Sequence, residues 1–155
     1  MVGTITAMLR NAGAQFRIVH HPPTRTSEES ARARGEEIAI GGKAIVMKVD
    51  ERFVLLVISA AHRIDSRKVR EIFRARKIRF ATAEELHQLT GLVPGSVPPF
   101  GRPLFDLDLC ADRTVTLNER IAFNAGSLTD SVVMTTEDYL RIAHPQVLSF
   151  GADQP

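Results

Sequence analysis

The sequence predicts an α+β fold in which helices surround a mixed, mainly antiparallel sheet. Strand-like segments outnumber helical ones, and many connections are too short for the crossovers that join parallel strands. With 155 residues the chain fits a single domain, residues 1–155, that can bury a sizeable core without disulfides. Hydrophobic residues make up 44% and charged residues 25% of the chain, proportions typical of a globular protein, so disorder is not expected between its ends.

The first part of the chain predicts two helices separated by a strand. Residues 4–12 can form a helix, and residues 16–20 alternate as a short strand that ends at two prolines. Thr26 and Glu29 have the spacing of a capping box, in which their side chains satisfy free amides at a helix start. A helix ending near residue 34 should follow.

Two apolar runs dominate the middle of the chain. Residues 43–49 and 52–58 are rich in β-branched side chains and are joined by a short polar turn, which predicts a hairpin at the centre of the sheet. Asp65 can cap a helix through residue 74 that has one apolar face and one basic face. A brief strand at 78–80 follows.

The last elements alternate between helices and short strands. A second capping box predicts a helix at 82–90, and alternation of apolar and acidic residues predicts a strand with one wet face at 104–110. Residues 121–123 and 131–134 should be facing strands around a turn. The C-terminal part contains a helix capped by Thr135 or Thr136 that ends near residue 143, and then a short strand at 146–150.

Composition excludes several classes of protein. The one cysteine, Cys110, cannot form an internal disulfide, which fits a reducing, intracellular setting. The longest apolar run, residues 53–61, is far shorter than the roughly 20 residues of a membrane helix, so no membrane partner is expected. Residues 1–13 lack the pattern of a secretory signal. We therefore expect a cytoplasmic protein.

Familiar catalytic motifs are absent from the sequence. The five histidines lack metal-ligand spacing, so neither a metal site nor any other cofactor is expected. Neither Ser96 nor Ser127, each of which follows a glycine, completes the G-x-S-x-G motif of common serine hydrolases. No Walker loop or dinucleotide fingerprint is present. These absences disfavour nucleophilic and nucleotide-driven mechanisms.

Two features can carry chemistry. Residues 91–101 form a loop rich in Gly and Pro whose backbone amides can be held rigidly around an oxygen-rich group, although a stiff connector with buried apolar side chains is an equally good interpretation. Lys43 follows two glycines at the start of an apolar strand. Its ammonium can bind a phosphate or an ester oxygen, but composition alone favours extension into solvent.

Five segments, by their order and spacing, point to a known family. They are residues 21–29 (HPPTRTSEE), 42–46 (GKAIV), 64–68 (IDSRK), 91–101 and 123–127 (FNAGS). Along nearly its whole length the chain resembles the YbaK-type family of aminoacyl-tRNA deacylases, whose fold also occurs as the editing insertion of bacterial prolyl-tRNA synthetases. The resemblance implies a barrel-like central sheet with helices packed outside it.

The resemblance also implies a reaction, hydrolysis of the ester bond of mischarged tRNA by a free-standing trans-editing enzyme. Its implied catalytic residues are Lys43 together with Gly95 and Pro99, which match a G-x-x-x-P loop. An ammonium and fixed amides can stabilise the negative charge that develops on the carbonyl oxygen, with water as the attacking group. No general base is evident, so the family suggests that the substrate's ribose hydroxyl takes the proton.

Further site residues follow from the same motifs and from neighbouring positions, although the lining positions could equally belong to the core. The candidates for substrate binding are His21, Thr26, Ile45, Met47, Ser96, Phe100, Gly126 and Ser127. The candidates for tRNA binding are Arg67, Arg70 and Arg74, whose basic helix face either contacts the acceptor stem or is simply solvated.

The expected partner is the acceptor end of aminoacyl-tRNA, and transient association with a synthetase is compatible with this function. The main alternative is a non-catalytic tRNA- or RNA-binding module of the same fold, against which the retention of Lys43 and of the Gly95 motif argues. An interaction domain for another small-molecule ester or for a protein is a third interpretation.

Overall fold

The computed structural model describes residues 1–153, which form two β-sheets and six α-helices. The helices are α1 (Val2–Asn11), α2 (Ser27–Arg34), α3 (Ser66–Phe73), α4 (Ala83–Thr90), α5 (Arg113–Thr116) and α6 (Thr136–Ala143). The strands are β1 (Phe16–His20), β2 (Gly42–Val49), β3 (Arg52–Ser59), β4 (Ile78–Phe80), β5 (Asp108–Asp112), β6 (Arg120–Asn124), β7 (Asp130–Thr135) and β8 (Gln146–Leu148). The predicted mixture of helices and a mixed sheet is confirmed.

The larger sheet has five strands in the order β4-β2-β3-β5-β8. Strands β2 and β3 form the predicted antiparallel hairpin, with Gly42 opposite Ser59 and Val49 opposite Arg52. Strand β3 lies at the centre of the sheet, and its residues 54–58 are fully buried. Strands β5 and β8 extend the sheet in parallel, β5 beside β3 and β8 beside β5.

The smaller sheet is antiparallel, in the order β1-β7-β6. A β-bridge between Gly41 and Ala122 joins it to the start of β2. The sheets approach closely at this point, because a Cβ on Gly42 would lie 2.8 Å from Cδ1 of Ile121. The hydrogen-bonded strands among residues 1–153 do not close into a barrel. In place of the expected barrel-like centre there are two sheets, which this bridge joins.

Helices α2, α3 and α4 start at the capping residues that the sequence predicts. Oγ1 of Thr26 accepts a hydrogen bond of 3.1 Å from the backbone N–H of Glu29. Thr82 begins α4 with a complete capping box, and Asp65 begins α3 by accepting from the N–H of Arg67. These bonds satisfy backbone groups that a helix start leaves unpaired.

The strand predicted at 104–110 is wrong over residues 104–107, whereas residues 108–110 belong to β5. Asp106 and Asp108 are exposed, as the predicted wet face requires. Backbone bonds from Phe105 N–H to Gly101 O and from Leu107 N–H to Phe105 O fold this stretch into turns. Phe105 and Leu107 belong to these turns and are buried. Their alternation with acidic residues therefore does not indicate a strand. Strand β5 begins only at Asp108, and it ends in the buried residues 110–112 between two neighbouring strands.

Candidate functional site

A cavity of about 220 Å³ lies where the start of α2, the start of β2 and the loop 91–101 meet. It is lined by Thr24, Arg25, Thr26, Ser27, Ser30, Arg34, Gly41, Gly42, Lys43, Ala44, Ile45, Ala60, Gly95, Val97 and Asn124. The lining combines hydroxyl groups, three cationic side chains and a few small apolar groups. The cavity therefore suits a small polar ligand with negative or developing negative charge.

Lys43 lies half-buried on this lining, and its Nζ donates a hydrogen bond of 2.8 Å to the carbonyl of His62. Burial lowers the pKa of Lys43 below its usual 10.5; the charge of Glu28 opposes this effect and that of Arg63 adds to it. An ammonium has three donors, so the bond to the His62 carbonyl leaves others for a ligand. Its partial desolvation strengthens its interaction with an oxygen that develops negative charge.

The loop brings backbone amides to the same cavity. Gly95 has a φ of +87°, a conformation that glycine adopts at little cost. Nδ2 of Asn124 donates a hydrogen bond of 2.6 Å to the Gly95 carbonyl, and the N–H of Gly126 donates to the carbonyl of Ser96. Within residues 1–153, the N–H groups of Gly95 and Val97 donate to no acceptor. Two residues of the cavity lining, both on the tethered loop, therefore carry unused backbone donors.

The end of the loop is fixed in the hydrophobic core. The hydroxyl of Tyr139, which is fully buried, donates a hydrogen bond of 2.7 Å to the Pro99 carbonyl. Phe100 packs edge-to-face against Phe123 and Tyr139, with ring centroids 5.5 Å apart in both pairs. This anchoring holds the loop rigid between its cavity end and its core end.

A buried polar network supports the opposite wall. Nε of Arg34 donates to Oγ of Ser131 at 3.0 Å, and Nη2 donates to Oδ1 of Asn124 at 3.1 Å. The Ser131 hydroxyl also lies 2.8 Å from Nε2 of His21. Burial lowers the pKa of Arg34 to about 10. Asn124 therefore connects the Arg34 network to the carbonyl of Gly95.

The electrostatics of the cavity are positive. Arg25, Arg34 and Lys43 contribute to its lining, whereas no Asp or Glu among residues 1–153 does. The N-terminus of α2 adds the partial positive charge of a helix start. Such an environment favours an electron-rich oxygen over an amine.

The structure brings together only part of the predicted site. Lys43, Gly95, Thr26 and Ile45 all line the cavity. The other candidates for catalysis and substrate binding are outside this lining: His21, Met47, Ser96, Pro99, Phe100, Gly126 and Ser127.

Several of these residues make contacts elsewhere in the protein, which explains why they do not line the cavity. Met47 is 1% exposed within the core of the larger sheet. The hydroxyl of Ser127 donates to the carboxylate of Asp130, and His21 donates from Nδ1 to the carbonyl of Pro22. Ser96 is a buried residue of the loop itself, and its hydroxyl donates to the carbonyl of Val93.

The predicted tRNA-binding residues lie on α3 and at its end. Arg67, Arg70 and Arg74 are all exposed, and within residues 1–153 none of them forms an ion pair. The segment that precedes α3 carries the His62 carbonyl that binds Lys43. Helix α3 therefore follows a segment that contacts the cavity, and its exposed arginines carry positive charge that no carboxylate among residues 1–153 pairs with.

Sequence reasoning missed Arg34 and Asn124 as site residues. Arg34 ends a helix whose other residues are mainly polar, and no periodicity indicates that its guanidinium is buried. Asn124 belongs to the FNAGS segment, and its position at the predicted turn after residues 121–123 was the available signal.

Residues 1–153 contain neither a metal-ligand cluster nor a membrane-spanning helix. No group of three or more of their His, Cys, Asp or Glu side chains could hold a metal ion. None of their helices has both the length and the apolar character needed to cross a membrane.

The fold and the cavity define a class of protein, and comparison with known proteins identifies it. Residues 21–142 match the family described as the aminoacyl-tRNA editing domain. The chain belongs to this family. The predicted kinship with aminoacyl-tRNA deacylases and with the editing insertion of prolyl-tRNA synthetases is confirmed.

Particular relatives make the comparison more specific. The chain is 36% identical over 152 residues to the multifunctional Ser/Thr-tRNA deacylase ProXp-y of Escherichia coli (strain K12), covering 94% of this chain and 90% of that one. A proline–tRNA ligase of Bacillus licheniformis is 40% identical over 83 residues, which cover 54% of this chain and 14% of the ligase. The crystal structure of a candidate trans-editing enzyme for prolyl tRNA synthetase superposes with a TM-score of 0.84 at 25% identity, covering 98% of this chain and 97% of that one.

Proposed function

We propose that this chain acts in trans to release serine or threonine from mischarged tRNA, with the cavity as its active site. One observation carries the proposal: Lys43, Gly95 and Val97 line the same cavity, and the N–H groups of Gly95 and Val97 have no acceptor among residues 1–153. These groups can surround the carbonyl oxygen of an ester. Four hydroxyl-bearing residues on the α2 side of the cavity (Thr24, Thr26, Ser27 and Ser30) suit a hydroxylated amino acid, the substrate class named for the E. coli relative.

The reaction needs only groups of the protein, water and the substrate. A water oxygen forms a bond to the ester carbonyl carbon, and negative charge develops on the carbonyl oxygen. Lys43 and the two amides stabilise this charge more strongly than the neutral carbonyl of the ground state, which lowers the barrier. The bond from carbon to the ribose oxygen then breaks. The neighbouring ribose hydroxyl takes the proton from water and passes it to the leaving oxygen.

The charge of the protein fits a nucleic-acid substrate. The three cations of the cavity attract the negatively charged acceptor end, and the exposed arginines of α3 can bind phosphates further along the stem. Phosphate binding of this kind supplies affinity without sequence selection. In this proposal α3 provides tRNA affinity and the cavity provides selection of the amino acid.

The direct test is release of labelled amino acid from separate tRNA preparations carrying serine, threonine, alanine or proline. We expect the purified chain to release serine and threonine with multiple turnovers. Tight, salt-sensitive binding of all four preparations without release of any amino acid would instead identify a binding module.

A further inference from the structure

Arg34 is a buried cation that has no acidic partner. Its side chain lines the cavity although the residue is only 9% exposed. Its two hydrogen bonds go to a hydroxyl and to an amide carbonyl, on Ser131 and Asn124. Among residues 1–153 no carboxylate lies within ion-pair distance of it. Burial of a charge in such surroundings is costly unless a ligand completes its hydrogen bonding.

One end of the guanidinium is available for such a ligand. Nη1 of Arg34 donates to no residue among 1–153, and it does not belong to the fully buried atoms that lack a partner. It is therefore accessible, and the cavity is the space that Arg34 lines. Nη1 lies beside Gly41, another residue of the cavity lining, where an added Cβ would be at a contact distance of 3.5 Å from it.

The neighbouring groups indicate which ligand atom fits. Ser30 precedes Arg34 by one helical turn, and its hydroxyl lies 2.7 Å from that of Thr24. An oxygen that accepts from a guanidinium and can donate to a hydroxyl matches these surroundings, whereas an ammonium would be repelled. An alcohol has both capacities, and a methyl group has neither.

We propose that Arg34 is a specificity-determining residue whose Nη1 donates to the side-chain hydroxyl of the bound amino acid. The inference rests on the proposed deacylase function and adds the group that recognises its substrate class. Serine completes the hydrogen bonding of the buried cation, but alanine leaves the donor unsatisfied. A site built to bond a hydroxyl discriminates strongly against the analogue that lacks it.

The test compares kcat/KM for one tRNA charged with serine and the same tRNA charged with alanine. The variants are Arg34→Gln and Arg34→Lys, and Arg120→Gln is the control because Arg120 is an exposed arginine paired with Glu36 outside the cavity. We expect wild type and control to prefer serine, and Arg34→Gln to lower the serine-to-alanine ratio about 10- to 100-fold, the value of a bond to a charged group. Any loss of rate that Arg34→Gln causes through Asn124 should affect both esters alike, so the serine-to-alanine ratio is the readout.

Two results would overturn the inference while leaving the deacylase function intact: equal loss on both esters in Arg34→Gln, or a wild-type enzyme that hydrolyses both without preference. Equal loss would mean that Arg34 binds the terminal phosphate or holds Asn124 in place. Failure of the wild type to hydrolyse either ester would instead refute the proposed function. If Arg34→Gln does not fold, the same ratio measured in Arg34→Lys decides the question, since its shorter ammonium cannot occupy the Nη1 position.

Discussion

Lys43 shows how a single position combines a structural cost with a chemical use. Its ammonium is partly desolvated and is held by the His62 carbonyl on the wall of a positive cavity. A pKa below that of an exposed lysine means that the charge is lost at a lower pH. The free energy of unfolding should rise as the pH increases through the folded-state pKa, since the charged form is less favourable in the folded protein.

The same shift predicts the pH dependence of catalysis. If the ammonium stabilises the oxyanion, enzymatic deacylation should decline on the alkaline side below pH 10.5, the usual pKa of lysine. In Lys43→Arg, whose guanidinium stays charged, any remaining activity should not show this decline. The measurement is kcat/KM against pH after subtraction of spontaneous ester hydrolysis. An alkaline limb unchanged in Lys43→Arg would contradict the assignment.

Gly95 allows backbone strain to be separated from function. Alanine at a φ of +87° should cost about 1 kcal/mol of stability, since L-residues resist the left-handed region. Gly91 provides a matched control: its φ is +74°, a Cβ there meets nothing within 4 Å, and it lies outside the cavity. Urea unfolding should show similar losses of stability in Gly95→Ala and Gly91→Ala, whereas only Gly95→Ala should lower kcat. Equal kcat in the two variants would remove Gly95 from the site.

Some residues of the cavity could be selected from local motifs, although their catalytic roles stay predictions. Lys43 after two glycines and Gly95 in its loop are local signals, and both residues line the cavity. Arg34 and Asn124 depend on a hydrogen bond between residues 90 positions apart, which no local pattern encodes. Pro99 belongs to the same loop motif as Gly95, yet its carbonyl accepts from Tyr139 in the core.

At the scale of elements, one carboxylate joins the end of β5 to α5 and to the residues after β8. Asp112 is 2% exposed and accepts hydrogen bonds from the backbone N–H groups of Thr114, Phe150 and Gly151. Burial alone would raise its pKa, but these bonds hold the pKa of Asp112 below 3.8. Its stabilising effect is therefore complete above pH 3.8 and is lost as the pH falls through the lower, folded-state value.

Replacement of this carboxylate should destabilise the protein. Asp112→Ala leaves three backbone donors without their acceptor, and we expect a decrease of about 3 kcal/mol in the free energy of unfolding. Asp112→Asn, which retains one acceptor oxygen, should be less destabilised. Urea denaturation at neutral pH measures both. A decrease in Asp112→Ala no larger than that of an exposed substitution such as Glu51→Ala would show that the junction contributes little.

Elements with strong local signals were predictable from the sequence. The hairpin β2–β3 and the capped helices α2, α3 and α4 lie where periodicity and capping residues place them. Helix α5 has only four residues, too few for a periodic pattern. Strand β5 begins later than predicted, because the turns before it have the alternating pattern that is typical of a strand. Its two parallel neighbours depend on long-range packing, which local sequence does not encode.

At the scale of the whole molecule, charge should determine tRNA affinity. Replacing Arg67, Arg70 and Arg74 together by glutamine should weaken tRNA binding and reduce the slope of log K against log salt by up to about 2–3, close to one for each phosphate that is no longer neutralised. Arg113, an exposed arginine on α5, provides the control Arg113→Gln, which should leave the slope unchanged. Filter binding at several salt concentrations measures it. An unchanged slope in the triple variant would mean that the basic face of α3 is only solvated.

The two sheets place the cavity where three distant parts of the chain converge. The bridge between Gly41 and Ala122 brings the start of β2 beside β6, and Asn124 at the end of β6 holds the loop through Gly95. Fold class and family could be inferred from ordered motifs, because each motif is short and local. The closeness of the sheets and the composition of the cavity could not, since they arise from side chains that meet only after folding.

Single-turnover hydrolysis of seryl-tRNA by wild type, Lys43→Ala and Lys48→Ala tests the central claim most directly. Lys48 lies on the same strand outside the cavity, with its ammonium 5.9 Å from the centre of the Phe53 ring. Removal of one oxyanion donor typically costs about 10²- to 10³-fold in rate, and we expect a decrease of this size in Lys43→Ala with a nearly unchanged rate in Lys48→Ala. Equal rates for wild type and a folded Lys43→Ala would contradict the claim that this cavity is the active site.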